Sequence, residues 1–203
     1  VTNDERREEN MGILSEHAGY LSEEIDLREL EAPAYEDLHS EEEVLWSEIL
    51  PGLWQGGTDD FDLIDTPIIN REPTPWITVK DFDTVVTLYA DANPADWFVR
   101  ELRYGFYDHD TKHFDTEELF DLVRIAHSDW KRGKRVLIRC QAGWNRSGLI
   151  TALIMIREGI HPRTAIDLQR ERRNKWVLCN GEFEKWLLEQ NSADWQGERY
   201  GTE

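Results

Sequence analysis

The spacing of apolar and polar positions changes most sharply between residues 135 and 158 of the 203-residue chain. Val136-Leu137-Ile138 is a short apolar run between Arg135 and Arg139, which predicts a buried strand. From Ser147 to Glu158 the chain is mostly apolar, holds no proline and stops at Gly159, which predicts a buried helix. Cys140 to Arg146 is therefore a strand-to-helix turn. Upstream, Arg103 to Tyr107 is strand-like, and a helix opens at Thr116 with Asp115 as its N-cap. Near the start, Leu14, Ala18, Leu21 and Ile25 recur at helical spacing within Met11 to Leu30, and Pro33 breaks the pattern. Residues 58–81, with Pro67, Pro73 and Pro75, read as a long connection. No internal repeat and no low-complexity tract interrupts this order.

The turn carries the chemistry. Backbone N–H groups at a helix start have no partners of their own, and with the helix dipole they suit an oxyanion. Gly143 and Gly148 leave room for the backbone to curl around one. A cysteine held at such a terminus beside a cation is favoured as the thiolate nucleophile. Arg146 adds a planar fork that grips two oxygens of a phosphate. Nucleophile, anion cradle and clamp thus converge, and phosphoryl transfer to sulfur is the chemistry they suit.

Cys140-Gln141-Ala142-Gly143-Trp144-Asn145-Arg146-Ser147 has the pattern Cys-x5-Arg-Ser. With the strand before it and the apolar helix after it, it resembles the phosphate-binding loop of the cysteine-dependent protein tyrosine phosphatases, particularly the compact dual-specificity group. Glu48 to Gly57 is similar to that group's opening strand, and Phe82 to Asp91 to its next core strand. His161 to Arg173 and Asn180 to Leu187 resemble its closing helices, so the likeness spans about residues 46 to 190. It implies an α/β domain with a central, mostly parallel sheet flanked by helices. The implied limits are 46–195 for the catalytic domain, 1–45 for an acidic N-terminal extension and 196–203 for a tail.

The resemblance also distributes roles. Cys140 is the implied nucleophile, and residues 141–146 the implied phosphoryl-binding loop: Gln141, Ala142, Gly143, Trp144, Asn145 and Arg146. Ser147 is implied to donate to the sulfur and ease breakdown of the phosphoenzyme; capping of the helix is its other reading, and the two are compatible. The general acid is implied to be a loop aspartate about thirty residues before the cysteine. Asp110 is preferred there, Asp108 stands second, and Asp115 reads as the N-cap. One position departs from the family: the residue before the cysteine is usually histidine, and here it is Arg139. Its charge would help hold a thiolate unless strand alternation turns it away.

Composition narrows the context. The net charge of −19 hides a polarity, because residues 1–43 hold 15 Asp or Glu against 3 Arg, whereas residues 131–175 hold 12 Lys or Arg against 3 Asp or Glu. The basic stretch would draw phosphate or acidic ligands, unless Arg170, Arg172 and Arg173 are merely solvated helix faces. Two cysteines are too few for a disulfide framework, which fits a reducing cytoplasm. Cys179 is expected in the core, with an oxidative disulfide to Cys140 as the alternative. Trp144 would either rim the site for an aromatic ester or lie buried. His109 and His113 have no third ligand at metal spacing, and no Gly-x4-Gly-Lys-Ser/Thr element is present, so neither a zinc site nor that type of nucleoside triphosphatase is expected.

The sequence therefore predicts a cofactor-free, metal-free phosphatase of phosphorylated protein side chains. Phosphotyrosine comes first, with phosphoserine and phosphothreonine open, and a phosphoinositide is disfavoured because the loop has no lysine. Neither a nucleic-acid partner nor membrane insertion is expected, and the oligomeric state is left open. The competing reading is a weak or inactive phosphate-binding scaffold that keeps the fold.

Overall fold

The computed structural model describes residues 44–58, 76–112 and 114–197. The acidic segment up to residue 43, with its apolar stripe, lies outside these described residues, as do most of the 58–81 connection, His113 and the tail from residue 198. Among the described residues, five strands, β1 (Trp46–Leu50), β2 (Leu53–Gly56), β3 (Thr84–Thr87), β4 (Arg100–Arg103) and β5 (Val136–Arg139), form one sheet in the order β1-β2-β5-β3-β4. Only the β1–β2 pair is antiparallel. β5 is central and buried along its whole length, which is why its sequence is a near-continuous apolar run.

The helices among the described residues are α1 (Thr116–Lys131), α2 (Arg146–Arg157), α3 (Pro162–Arg172), α4 (Gly181–Leu188) and α5 (Ser192–Gln196). Asp115 caps α1 by accepting from the Glu117 and Glu118 N–H groups. Apolar residues of all five helices join Val86, Val136 and Ile138 in one large core. Val85 and Leu137, alternating with these, point to the other face and a smaller cluster with Ile77, Phe82, Ala95 and Val99. α2 is apolar all round because it runs through the middle of the large core.

Several boundaries differ from expectation. The opening strand is a hairpin, turned at Pro51-Gly52, where Gly52 takes φ 82° and its N–H donates to Glu48 Oε1 at 2.7 Å. The Pro-Gly pair is the turn signal that a single strand overlooks. The second core strand contracts to Thr84–Thr87, and the strand-like Arg103 to Tyr107 is displaced to Arg100–Arg103. Both shorten together because β4 has β3 as its pairing partner, and the ladder ends with Thr87 against Arg103.

Buried acids stitch the sheet to its connections. Asp129, with a side chain 1% exposed, accepts from Thr84 Oγ1 at 2.8 Å and pairs with Arg100 and Lys134, each at 2.9 Å. Burial pushes its carboxyl up, but the bonds from Lys134 and Thr84 and the charge of Arg100 outweigh this, so it sits below the usual range. Burial is likewise outweighed at Asp83 by Arg135, at Glu158 by His127 and Lys131, and at Glu101 by Thr87, the Ala95 N–H, Arg103 and Arg139. Carboxylates with lowered folded values stabilise the fold above the ordinary carboxylate range, near about pH 4, and lose that contribution as pH falls towards their folded values. Stability measured by urea unfolding is therefore expected to be level near neutrality and to fall below about pH 4.5. Asp129→Asn should reduce the slope of that fall, and an unchanged slope would discount Asp129 as a contributor.

Candidate active site

Cys140 lies immediately beyond β5, at the carboxyl end of the parallel strands, and is 1% exposed. Its Sγ receives the Gly143 N–H at 3.3 Å and lies 3.4 Å from Ser147 Oγ. The sulfur is thus the floor of a loop that curls over it. That curl requires glycine at 143, where φ is +78° and a Cβ would lie 2.3 Å from the Gly56 carbonyl carbon. A Cβ on Gly57 would meet the Gln141 carbonyl oxygen at 2.8 Å, so the end of β2 also depends on small residues.

Asn145 is the N-cap of α2, yet its side chain makes no capping bond, and the first turn contains no acid. The first-turn N–H groups, which no helix can satisfy internally, therefore receive no bond from the N-cap side chain. Asn145 Oδ1 instead accepts from the Asn180 N–H at 3.0 Å and from the Cys179 thiol at 3.5 Å. Ser147 therefore does not cap α2. It is buried within the first turn, with Oγ turned to the sulfur.

Arg146 donates from Nη1 to the Leu88 and Phe106 carbonyls at 3.1 and 3.5 Å, and its guanidinium lies 5.5 Å from the Tyr89 ring centre. Its Nε is buried without a partner among the described residues. A buried guanidinium donor left over in an anion-shaped loop is a place for an oxyanion.

Trp144, of the two alternatives, is buried, at 5% exposure. Cys179 is exposed rather than in the core, because the segment between α3 and α4 sends Val177 and Leu178 inward and Cys179 out. Arg139 is turned away from the sulfur. Its side chain bonds Thr87 Oγ1 at 2.9 Å and Glu101 at 3.1 Å, on the face opposite Ile138.

The three aspartates have different surroundings. Asp115 is committed to α1 as its cap. Asp108 is exposed and accepts from Asn180 Nδ2 at 2.9 Å. Asp110 is more sheltered, with a side chain 22% exposed; Oδ1 accepts from the Lys112 N–H at 3.1 Å and Oδ2 lies 3.5 Å from His109 Nδ1. Asn180 also donates to the His109 carbonyl and caps α4, so one asparagine ties the aspartate loop, the cysteine loop and a helix start together. Its position before Gly-Glu-Phe was a legible cap signal, but its long-range partners were not.

Arg173 is the residue most misjudged by its surroundings in sequence. It is no solvated helix face. Nε donates to the Gly143 carbonyl at 2.7 Å, Nη2 to Ala142 at 3.1 Å, and Nη1 lies within bonding reach of the Val44, Leu45 and Gln55 carbonyls. Gln55 Nε2 donates to the same Gly143 carbonyl at 3.0 Å. Arg170 is also engaged, with Glu184 at 2.8 Å, as are Lys134 with Asp129 and Arg135 with Asp83. Much of the basic stretch thus serves the interior; Arg172 remains exposed. Arg173→Met is expected to lower stability by about 1.5–3 kcal/mol, since part-buried carbonyls lose a charged donor. It should also reduce kcat/KM for any reaction at the loop. Unaltered urea midpoints and kinetics would rule out this anchoring role.

Among the described residues no group of three or more potential ligands is placed to hold a metal, and no helix is long and apolar enough to cross a membrane. Residues 75–193 match the family model for the dual specificity phosphatase catalytic domain. The chain belongs to the dual specificity phosphatase family. Solved structures agree on the fold. Human DUSP28 is 14% identical, with TM-score 0.55, over 71% of this chain and 90% of its own. The human tyrosine phosphatase-like serine/threonine/tyrosine-interacting protein is 20% identical, with TM-score 0.51, over 71% and 93%. The family's mixed α/β fold and mostly parallel sheet are those that the sequence implied.

Proposed function

We propose that this dual specificity phosphatase domain hydrolyses phosphomonoesters on protein side chains through a phosphocysteine intermediate. The observation that carries the reading is the Cys140 sulfur at the loop floor, with the Gly143 N–H and Ser147 Oγ beside it and the buried Arg146 Nε left over in the same loop. The Cys140 thiolate attacks phosphorus while Arg146 and the loop N–H groups from Gln141 to Asn145 hold the equatorial oxygens. The ester P–O bond breaks, and Asp110 gives its proton to the leaving oxygen. Water then attacks the phosphocysteine, Asp110 takes the water's proton, and the P–S bond breaks to restore the thiolate. Ser147 Oγ–H, donating to the sulfur, stabilises the departing thiolate.

Phosphotyrosine is the favoured substrate, because a sulfur on a loop floor suits an extended ester; phosphoserine and phosphothreonine are second. The unpaired thiols Cys140 and Cys179 suit a reducing compartment such as the cytoplasm. The test is phosphate release from an aryl phosphate and from matched phosphotyrosine and phosphoserine peptides. No release by folded, reduced protein would leave only the scaffold reading.

A further inference from the structure

Arg139 stands where the family's resemblance calls for histidine, yet its side chain is turned away from Cys140 and is 2% exposed. A buried guanidinium is costly unless it is fully bonded, so its partners show what it serves. Nε donates to Thr87 Oγ1, and Nη2 donates both to the Asn93 carbonyl and to Glu101. Glu101 in turn accepts from Thr87 Oγ1 at 2.6 Å, the Ala95 N–H at 3.1 Å and Arg103 at 3.0 Å. Arg103 closes the set by donating to the Tyr89, Ala90 and Ala92 carbonyls. Through the Asn93 carbonyl, the Ala95 N–H and the Tyr89, Ala90 and Ala92 carbonyls, this set ties down one turn, residues 88–95, which follows β3. The Arg139 carbonyl also accepts the Leu88 N–H at 2.8 Å.

That turn, with the Phe106 carbonyl, holds Arg146. Leu88 supplies the carbonyl that receives Arg146 Nη1, and Tyr89 supplies the ring beneath its guanidinium. We infer that Arg139, through Glu101 and Arg103, is a positioning residue for the Arg146 guanidinium, and that it serves phosphoryl-oxygen binding rather than the nucleophilic sulfur. The inference rests on the phosphatase reading. It also distinguishes two uses of the position before the cysteine: a group that acts on the sulfur, and one that holds the arginine clamp from behind the sheet. A planar fork with several donors can bond Thr87, Asn93 and Glu101 together, which an imidazole cannot do.

The test uses the full chain, with orthovanadate as the oxyanion probe and iodoacetamide, an uncharged reagent, as the probe of the sulfur. Four variants are compared: Arg139→Met, Arg139→Lys, the double variant Arg139→Met with Glu101→Gln, and Arg103→Met. The double variant avoids a buried uncompensated carboxylate, and Arg103, with a side chain 38% exposed, is replaceable without opening the core. Thermal melts first select the folded variants. The expected result is vanadate binding weakened about tenfold, the scale of one misaligned charge-assisted hydrogen bond, and partly recovered in Arg139→Lys. The pH dependence of alkylation at Cys140, followed by peptide mass spectrometry, should stay where it is in the unaltered protein. Undiminished vanadate affinity in the folded variants would overturn the inference, as would a displaced alkylation profile, which would put Arg139 in the service of the sulfur. Failure of the unaltered protein to bind vanadate at all would instead overturn the phosphatase reading, and the inference with it.

Discussion

Replacing Cys140 with serine should reduce turnover by more than about 10⁴-fold, the scale seen when a covalent nucleophile is removed, while vanadate or phosphate still binds. The two halves of this expectation have separate physical origins. A hydroxyl in the same place is a far weaker nucleophile than a thiolate, because almost none of it is ionised near neutral pH. The proposed anion cradle does not depend on sulfur: it consists of the loop N–H groups and the Arg146 guanidinium, whose Nη1 the Leu88 and Phe106 carbonyls hold. Arg173 and Gln55 hold the loop through the Gly143 carbonyl, and serine leaves those bonds intact. Calorimetric titration with vanadate beside an aryl phosphate assay reads both halves. Substantial residual turnover in a clean preparation would remove the phosphocysteine mechanism, and loss of anion binding in a folded variant would show that the cradle needs the thiolate.

The second large effect concerns the proton donor. Asp110→Asn is expected to slow hydrolysis of phenyl phosphate about 10²- to 10⁴-fold, the range for loss of a positioned general acid, and to slow a dinitrophenyl ester much less. The contrast arises because phenolate leaves poorly without a proton, whereas an acidic phenol leaves unaided. Asp108→Asn should show no such dependence on the leaving group. Its carboxylate is exposed and already receives Asn180 Nδ2, a bond that ties two loops together, whereas Asp110 is more sheltered and, among the described residues, has local partners, the Lys112 N–H and His109. Asp108→Asn would thus act as a loosened strut, lowering the rate similarly for both esters. A leaving-group dependence in Asp108→Asn and none in Asp110→Asn would reverse the assignment.

Residues 135–158 show why some features are legible from a line of residues. A buried strand and a buried helix each need an unbroken apolar run, so their periods stand out, and the turn between them is bounded by what it is not. The helix predicted as Ser147 to Glu158 is found at Arg146–Arg157, and the cap at Asp115 lies where a short polar side chain precedes an amphipathic run. These are local matters, settled within a few residues by sterics and by the needs of unpaired N–H groups. Strand ends are different, since a strand lasts only as long as its neighbour: β4 stops at Arg103 because β3 stops at Thr87.

The sequence by itself thus determined the family, the strand–loop–helix unit and the residue types that converge in the cysteine loop, because a nucleophile, a tight backbone curl and a guanidinium must there lie within eight residues. Tertiary structure alone decided which distant side chains hold that loop. Arg173 stood in a run of arginines and Arg139 stood beside the cysteine, yet the first bonds the loop's carbonyls and the second lies behind the sheet with Glu101. Identical guanidinium groups differ only in where the fold aims them, and a long charged side chain can satisfy its donors at any carbonyl or carboxylate the packing brings near. Periodicity reports burial, a property of one segment; a hydrogen-bond partner some 30 to 130 residues away is a property of the assembled chain.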